Sequence, residues 1–102
     1  MSVIIDLSIF PMDKDGVSLS PYVARIINVI KASCLPYQLG PMGTSVEGEW
    51  DEVMQLVNDC YRELEPDCDR IYLNVKADCR RGRVNGMLGK VASVESKMNN
   101  SN

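Results

Sequence analysis

The spacing of hydrophobic residues along the chain predicts four β-strands. Residues 3–10 alternate between two sets of side chains, which is the period-two pattern of a strand, and Pro11 ends that pattern. The same alternation recurs over residues 70–78. Two shorter segments, 35–39 and 44–48, are separated by the glycine- and proline-containing turn at 40–43. We therefore expect a hairpin between two longer strands.

Three further segments have helical spacing. Ser20 and Pro21 suit a helix start, with serine as the cap and proline at the first helical position, and the helix should run to about Ser33. A second helix is predicted over residues 49–65, where acidic residues in the first turn complement the helix dipole and Pro66 stops it. A short third helix is predicted from the apolar residues Met87, Leu88, Val91, Val94 and Met98.

The order β-α-β-β-α-β predicts an α+β sandwich of the ferredoxin-like type. Right-handed crossovers then give an antiparallel sheet of strand order 4-1-3-2, with two helices on one face and the other face uncovered. We expect a single domain over residues 1–98, followed by a frayed polar tail at 99–102.

Composition narrows the classes of function. The 102 residues are 45% hydrophobic and carry a formal net charge of −3, so no overall positive field attracts nucleic acid. No apolar run approaches the ~18–20 residues that cross a bilayer, and Asp6 interrupts the apolar start before it resembles a signal peptide. We expect a cytoplasmic protein without membrane or nucleic-acid partners.

The cysteines and glycines give little support for an enzyme. The four cysteines form no CxxC pair, and the chain has no histidine to complete a zinc site or to activate a thiol. Four free thiols in a reducing compartment are expected. Gly40, Gly43 and Gly48 lack the spacing of a phosphate-binding loop. We predict no metal site, no cofactor and no catalysis.

The face of the sheet away from the helices, here called the open face, carries the candidate site. Apolar residues lie at its ends, and we expect Ile4, Phe10 and Tyr72 to be buried between subunits of a homo-oligomer. Polar residues lie in the middle: Asp6, Ser8, Ser45, Glu47, Asn74 and Lys76. They either converge on a small polar ligand or form a solvated face with cross-strand ion pairs such as Asp6 with Lys76.

A basic segment near the end of the chain offers a second, weaker candidate. Its members are Arg80, Arg81, Arg83, Lys90 and Lys97. These side chains either gather an anion or belong to an ordinary solvated segment.

Several motifs resemble one known family. They are the run Tyr37-Gln38-Leu39-Gly40-Pro41-Met42-Gly43-Thr44-Ser45-Val46-Glu47-Gly48-Glu49, the segment Asp51-Glu52-Val53-Met54, and the shorter motifs Phe10-Pro11-Met12, Ser20-Pro21-Tyr22 and Lys76-Ala77-Asp78-Cys79-Arg80. Together they resemble the thiamine-binding protein family of the YqgV and YkoF type over about residues 2–94. The resemblance implies a ferredoxin-like fold, dimers that stack into tetramers, and binding of thiamine or its hydroxymethylpyrimidine part. It favours Thr44, Glu47 and Lys76 as groups that contact the ligand.

The expected function is therefore binding of a small polar heterocycle without catalysis. Family resemblance names thiamine or its hydroxymethylpyrimidine moiety as the ligand, and the protein would act as a carrier, a sensor or a regulatory subunit. A structural or interaction protein that uses the open face only to assemble is the alternative. An enzyme is the least favoured class, because the sequence shows no nucleophile with its base, no metal set and no cofactor loop.

Overall fold

The structure, a computed structural model, describes residues 1–82 and 85–99. Its elements are β1 (Ser2–Pro11), α1 (Ser20–Ala32), β2 (Tyr37–Leu39), β3 (Thr44–Glu49), α2 (Trp50–Leu64), a 3-10 turn (Glu65–Asp67), β4 (Ile71–Arg80) and α3 (Gly86–Asn99). This order confirms the predicted β-α-β-β-α-β succession and the additional C-terminal helix. Arg83 of the basic segment and residues 100–102 of the predicted tail lie outside the described residues.

The four strands form one antiparallel sheet with β1 near its centre. The order is β2-β3-β1-β4, which is the predicted 4-1-3-2 order counted from the other edge. β1 pairs with β4 along its whole length, from Ser2 opposite Arg80 to Pro11 opposite Ile71. On its other side it pairs with β3, from Ser2 opposite Glu49 to Leu7 opposite Thr44. The ferredoxin-like prediction is confirmed.

The hydrophobic core lies between the sheet and the layer formed by α1 and α2. Its buried members are Val3, Ile5, Leu7 and Ile9 of β1, Ile26 and Ile30 of α1, Val46 of β3, and Val53, Leu56, Cys60 and Leu64 of α2. The period-two and helical patterns placed these residues inside. Val23 of α1 and Leu73 of β4 were expected inside on the same patterns but are 41% and 43% exposed. Burying a valine, leucine or isoleucine side chain contributes roughly 1.5–3 kcal/mol, so this cluster is the main source of stability.

The helix starts differ slightly from the sequence pattern. α1 already includes Ser20, and its capping position is Leu19, which makes no side-chain capping bond. The predicted serine cap is therefore wrong by one residue; the Ser18 hydroxyl instead accepts the Ser20 N–H at 3.3 Å. At the start of α2, the Glu52 carboxylate accepts the N–H of Glu49 at 3.1 Å, as an N-terminal acidic side chain often does.

The open face is partly covered, contrary to the expectation that it is bare in one subunit. Glu47 and Asp78 both lie opposite Ile4, on the pleat that faces away from α1 and α2. The first two turns of α3 contact both carboxylates: the backbone N–H of Gly86 contacts Glu47, and the ammonium of Lys90 contacts Asp78. Within residues 1–82 and 85–99, no helix has the length and apolar character needed to span a membrane.

Candidate functional site

The pairing register arranges the open face in successive rows. Ile4 is flanked by Glu47 and Asp78, and Asp6 is flanked by Ser45 and Lys76. Directly opposite residues on paired strands lie ~4.5–5.5 Å apart, and successive rows are separated by about 7 Å along a strand. Two more rows follow, with Ser8 opposite Asn74 and Phe10 opposite Tyr72.

Helix α3 closes one end of the open face at the Ile4 row. Glu47 is only 8% exposed, and its Oε2 accepts the Gly86 N–H at 2.5 Å. A carboxylate at a helix N-terminus satisfies a backbone donor and interacts favourably with the helix dipole. Met87, the next residue of α3, is also buried. Glu47 therefore holds α3 on the sheet.

Stacked aromatic rings close the other end. The ring centroids of Phe10 and Tyr72 are 5.4 Å apart, with 21° between the ring planes. Tyr72 remains 52% exposed, so one face of the pair is available to a further ring or to another subunit.

Between these two ends lies a band of hydrogen-bonding groups, which we call the polar band. Its members are Asp6, Ser8, Ser45, Asn74 and Lys76. They offer a carboxylate, two hydroxyls, a carboxamide and an ammonium, so both donors and acceptors are present within a few ångströms of each other. A planar polar heterocycle would meet matching groups along the band and a ring surface at its end.

Asp6 and Lys76 lie side by side but do not form an ion pair. They occupy directly opposite positions, yet within the described part of the chain no salt bridge joins them. The Asp6 side chain instead lies against the β2–β3 turn, where a Cβ on Gly43 would come 2.9 Å from Asp6 Oδ1. The cross-strand ion pair considered from the sequence is absent from this part of the structure.

The structure brings five of the seven predicted ligand residues together and separates two. Glu47 is next to the band but is occupied by the α3 N-terminus. Thr44 lies opposite Leu7 on the helix-facing pleat, and it lines a cleft between α1, β1 and the β2–β3 turn that Ser8 and Phe10 also line. Sequence periodicity did not anticipate the α3 contact, because the position of that helix depends on the connection after β4 and not on any repeat.

The basic segment does not form an anion site in the described residues. The Lys90 ammonium is paired with the Asp78 carboxylate. Arg80 and Arg81 are exposed, and Arg83 lies outside the described residues. Across residues 1–82 and 85–99, no group of three or more cysteine, aspartate or glutamate side chains is placed to hold a metal ion.

Comparison with known proteins identifies the family. A family model described as "Thiamine-binding protein" matches residues 5–95. A UPF0045 protein of Synechocystis is 35% identical over 102 residues, which cover 99% of this chain and 84% of that protein. The solved structure of a hypothetical protein from Methanocaldococcus jannaschii superposes with a TM-score of 0.84 at 31% identity, covering 92% of this chain and 96% of that one.

A second solved structure agrees with this result. It is a candidate thiamine biosynthesis or salvage protein from Thermotoga maritima, with a TM-score of 0.80 and 30% identity over 92% of this chain and 99% of that one. The family model, the sequence relatives and the superposed structures thus indicate the same family, and each match covers most of the chain. The chain belongs to the thiamine-binding protein family.

Proposed function

We propose that this protein binds thiamine or its hydroxymethylpyrimidine moiety in the polar band and serves as a carrier, a sensor or a regulatory subunit. The observation that carries the proposal is the placement of hydrogen-bonding groups between the α3 turn and the Phe10–Tyr72 pair. The family description and the thiamine-related description of the Thermotoga neighbour support this choice of ligand.

The chemistry of the band suits an aminopyrimidine. The exposed face of Tyr72 offers a stacking surface, and the Asn74 carboxamide and Ser8 hydroxyl match ring nitrogens and an exocyclic amine. A thiazolium cation would be favoured near the Asp6 carboxylate, which is not paired with Lys76. Thiamine therefore gains one interaction that the neutral pyrimidine lacks.

Binding without catalysis is the favoured role. The band contains two serine hydroxyls, but the chain has no histidine to act as a general base for either of them. The groups of the band can hold, orient and partly desolvate a ligand. A carrier, sensor or regulatory subunit needs no more than this.

Assembly into a homo-oligomer completes the proposal. Tyr72 is half exposed, and Ile4 and Phe10 are partly exposed at the two ends of the band. Covering these apolar groups with a second subunit would remove apolar surface from water and turn the open band into a partly dry pocket. Assembly alone, without a ligand, is the competing function.

Calorimetric titration tests the ligand. Thiamine and hydroxymethylpyrimidine are titrated into the parent protein, Asp6→Asn, Asn74→Ala and Lys31→Gln, an exposed lysine of α1 on the other layer. Asp6→Asn should weaken thiamine about tenfold, consistent with a lost charge-assisted bond of ~1.5 kcal/mol, and weaken the pyrimidine less. Lys31→Gln should match the parent. Absence of heat from both ligands at millimolar concentration would refute the binding function.

Light scattering separates binding from assembly alone. A homo-oligomer should give a multiple of the 11.4 kDa chain mass. Tyr72→Ser should shift the protein toward the monomer because it removes an aromatic ring from the proposed interface. An oligomer that persists in both proteins while neither ligand binds would favour the purely structural role.

A further inference from the structure

Helix α3 leaves the sheet after its first two turns. Its first backbone N–H, that of Gly86, donates to Glu47 of β3. The Lys90 ammonium pairs with Asp78 of β4. These two carboxylates lie on either side of β1, so the helix runs from β3 across β1 toward β4, the last strand of the sheet on that side. The rest of α3, residues 91–99, rises about 13 Å at ~1.5 Å per residue and extends past the sheet edge.

The projecting part of α3 carries an apolar stripe. Val91, Val94 and Met98 are spaced three and four residues apart, as on one side of a helix, and all three are exposed. Met87 continues the same stripe one turn earlier and is buried. The side of α3 that rests on the sheet therefore stays apolar beyond the sheet edge, where it is exposed. The opposite side carries small residues such as Ser93.

Strand β4 offers a second copy of the chain a place to join. It is a ten-residue strand at the sheet edge, and the outward backbone groups of such a strand can pair with another strand. Leu73, on its helix-facing pleat, is large, apolar and exposed, so the α1–α2 layer does not fully cover this edge. Identical chains assemble most often about a two-fold axis, which pairs β4 antiparallel with β4 of the second copy.

Alternation and charge fix the register of such a pair. A two-fold axis perpendicular to the sheet keeps both open faces on the same side, so even-numbered residues lie opposite even-numbered residues. The longest overlaps that meet this condition place Asp78 opposite either Tyr72 or Asn74 of the second copy. The second choice puts Lys76 directly opposite its own copy, and like charges in that position are destabilising. Asp78 opposite Tyr72 is therefore the favoured register.

This register carries α3 onto the second copy's site. The helix crosses β4 at Asp78, so the next strand beneath it is β4 of the second copy at Tyr72. The strand after that is β1 at Phe10, about 5 Å further on. The projecting 13 Å of helix is long enough to span both strands. The two α3 helices then lie about 20 Å apart along the strands, which leaves the polar bands open between them.

We propose that a second copy of this chain joins at β4 and that α3 of each copy covers the Phe10–Tyr72 end of the other copy's polar band. Val91 and Val94 then pack on the two rings, which removes apolar surface of both copies from water. Each band is closed at one end by its own α3 and at the other end by α3 of the second copy. The interface follows from β4 and α3, and only its role as a wall of a thiamine site rests on the proposed function.

Cross-linking tests the contact between copies. The starting chain carries Cys34→Ser and Cys79→Ser, which remove the two exposed thiols. Val94→Cys and Ser8→Cys are then added together, because Ser8 lies one row from the aromatic pair. A short bismaleimide should give a covalent dimer of twice the 11.4 kDa chain mass. Either added cysteine alone should give none, because its two copies lie at least ~14 Å apart, which is three strand spacings.

A matched pair of variants tests the apolar stripe. Val94→Asp places a charge in the proposed contact, where it would lose hydration without a partner, so light scattering should show a lower oligomer mass than in the parent. Ser93→Asp adds the same charge one residue away, on the other side of α3, and should assemble like the parent. Both side chains are exposed within one chain, so neither change should alter the fold.

Four results would overturn the proposal. They are a monomeric parent protein, equal oligomer mass in Val94→Asp and the parent, no covalent dimer from the chain with both added cysteines, and a covalent dimer from Val94→Cys alone. The last result would place the two α3 helices against each other. Failure of thiamine to bind would refute only the proposed function, because cross-linking and light scattering need no ligand.

Discussion

The Glu47 carboxylate and the Gly86 amide lie 2.5 Å apart, although 39 residues separate them in the chain. This bond fixes the start of α3 against the sheet, and the Lys90–Asp78 ion pair lies one turn further along the helix. Glu47 was expected to contact a ligand, partly because of family resemblance. In the structure its carboxylate accepts the Gly86 N–H and so helps to set how much of the open face the helix leaves uncovered, while its contact with a ligand stays a prediction.

Glu47→Gln should therefore destabilise the protein even without a ligand. A carboxamide oxygen can still accept the Gly86 N–H, but the charge that complements the helix dipole is lost. We expect the free energy of unfolding to fall by about 1 kcal/mol, the difference between a charge-assisted and a neutral hydrogen bond. Urea denaturation measures this loss. Glu95→Gln, on the exposed part of α3, is the control and should change stability little; equal losses would contradict the capping role.

The contact between Asp6 and Gly43 gives a second prediction. A methyl group at residue 43 would lie 2.9 Å from Asp6 Oδ1 and 3.1 Å from the Leu7 carbonyl oxygen. Gly43→Ala should therefore displace the Asp6 carboxylate, lower stability and weaken thiamine binding several-fold. Thermal unfolding and calorimetry measure the two effects.

Gly89→Ala is the matched control for that change. Residue 89 lies in α3, and a Cβ there meets nothing within 4 Å. Alanine is favoured over glycine in a helix by about 1 kcal/mol, so this variant should be slightly more stable and bind as the parent does. Similar behaviour of the two alanine variants would show that the contact with Asp6 has no effect.

Much of the fold could be predicted because the pattern of hydrophobic residues along the chain fits few arrangements of strands and helices. The alternation that buries Val3, Ile5 and their neighbours is strict, and Pro66 ends a helical stripe clearly. The strand order then follows from handedness. The predicted ends of the elements were less accurate. β4 continues to Arg80 because Arg80 pairs with Ser2 of β1, and nothing in the sequence of β4 itself indicates this pairing.

The candidate site was predictable only where the alternation of side chains along a strand decides which face of the sheet a residue occupies. Asp6 and Lys76 share a face because each lies on a known pleat of neighbouring strands. The role of Glu47 depends on the path of the chain between β4 and α3, which periodicity does not encode. The cleft at Thr44 depends on how α1 and the turn pack together, so a residue list could not reveal it.

Thiol reactivity should divide the four cysteines into two pairs. All four are free; Cys34 and Cys79 are exposed, whereas Cys60 and Cys68 are buried. Burial raises the pKa of the Cys60 thiol to about 12 and raises that of Cys68 as well. Since the thiolate is the reactive form, Ellman's reagent should label two thiols rapidly in the native protein and all four after denaturation without reductant. Rapid labelling of all four in the native state would contradict the core packing.

Acid sensitivity should depend in part on Asp67. Arg25 of α1 binds both carboxylate oxygens of this residue, at 2.9 and 3.0 Å, and also contacts Glu63 of α2 at 3.1 Å. The hydrogen bonds from Arg25 lower the pKa of Asp67 from its ordinary value of 3.8. The link connects α1, the end of α2 and the following 3-10 turn.

The sign of the pH effect follows from that lowered pKa. The folded state holds the Asp67 proton less tightly than the unfolded state, so the stabilisation is present above pH 3.8 and is lost as the pH falls below it. Asp67→Asn should therefore lower the free energy of unfolding more at pH 7 than at pH 3. At pH 3 the parent protein has already lost part of the stabilisation that the Arg25–Asp67 interaction provides. Urea denaturation of both proteins at the two pH values measures the difference, with Asp15→Asn, an exposed carboxylate before α1, as the control. A loss that is the same at both pH values would show that Arg25 holds Asp67 through shape and not through charge.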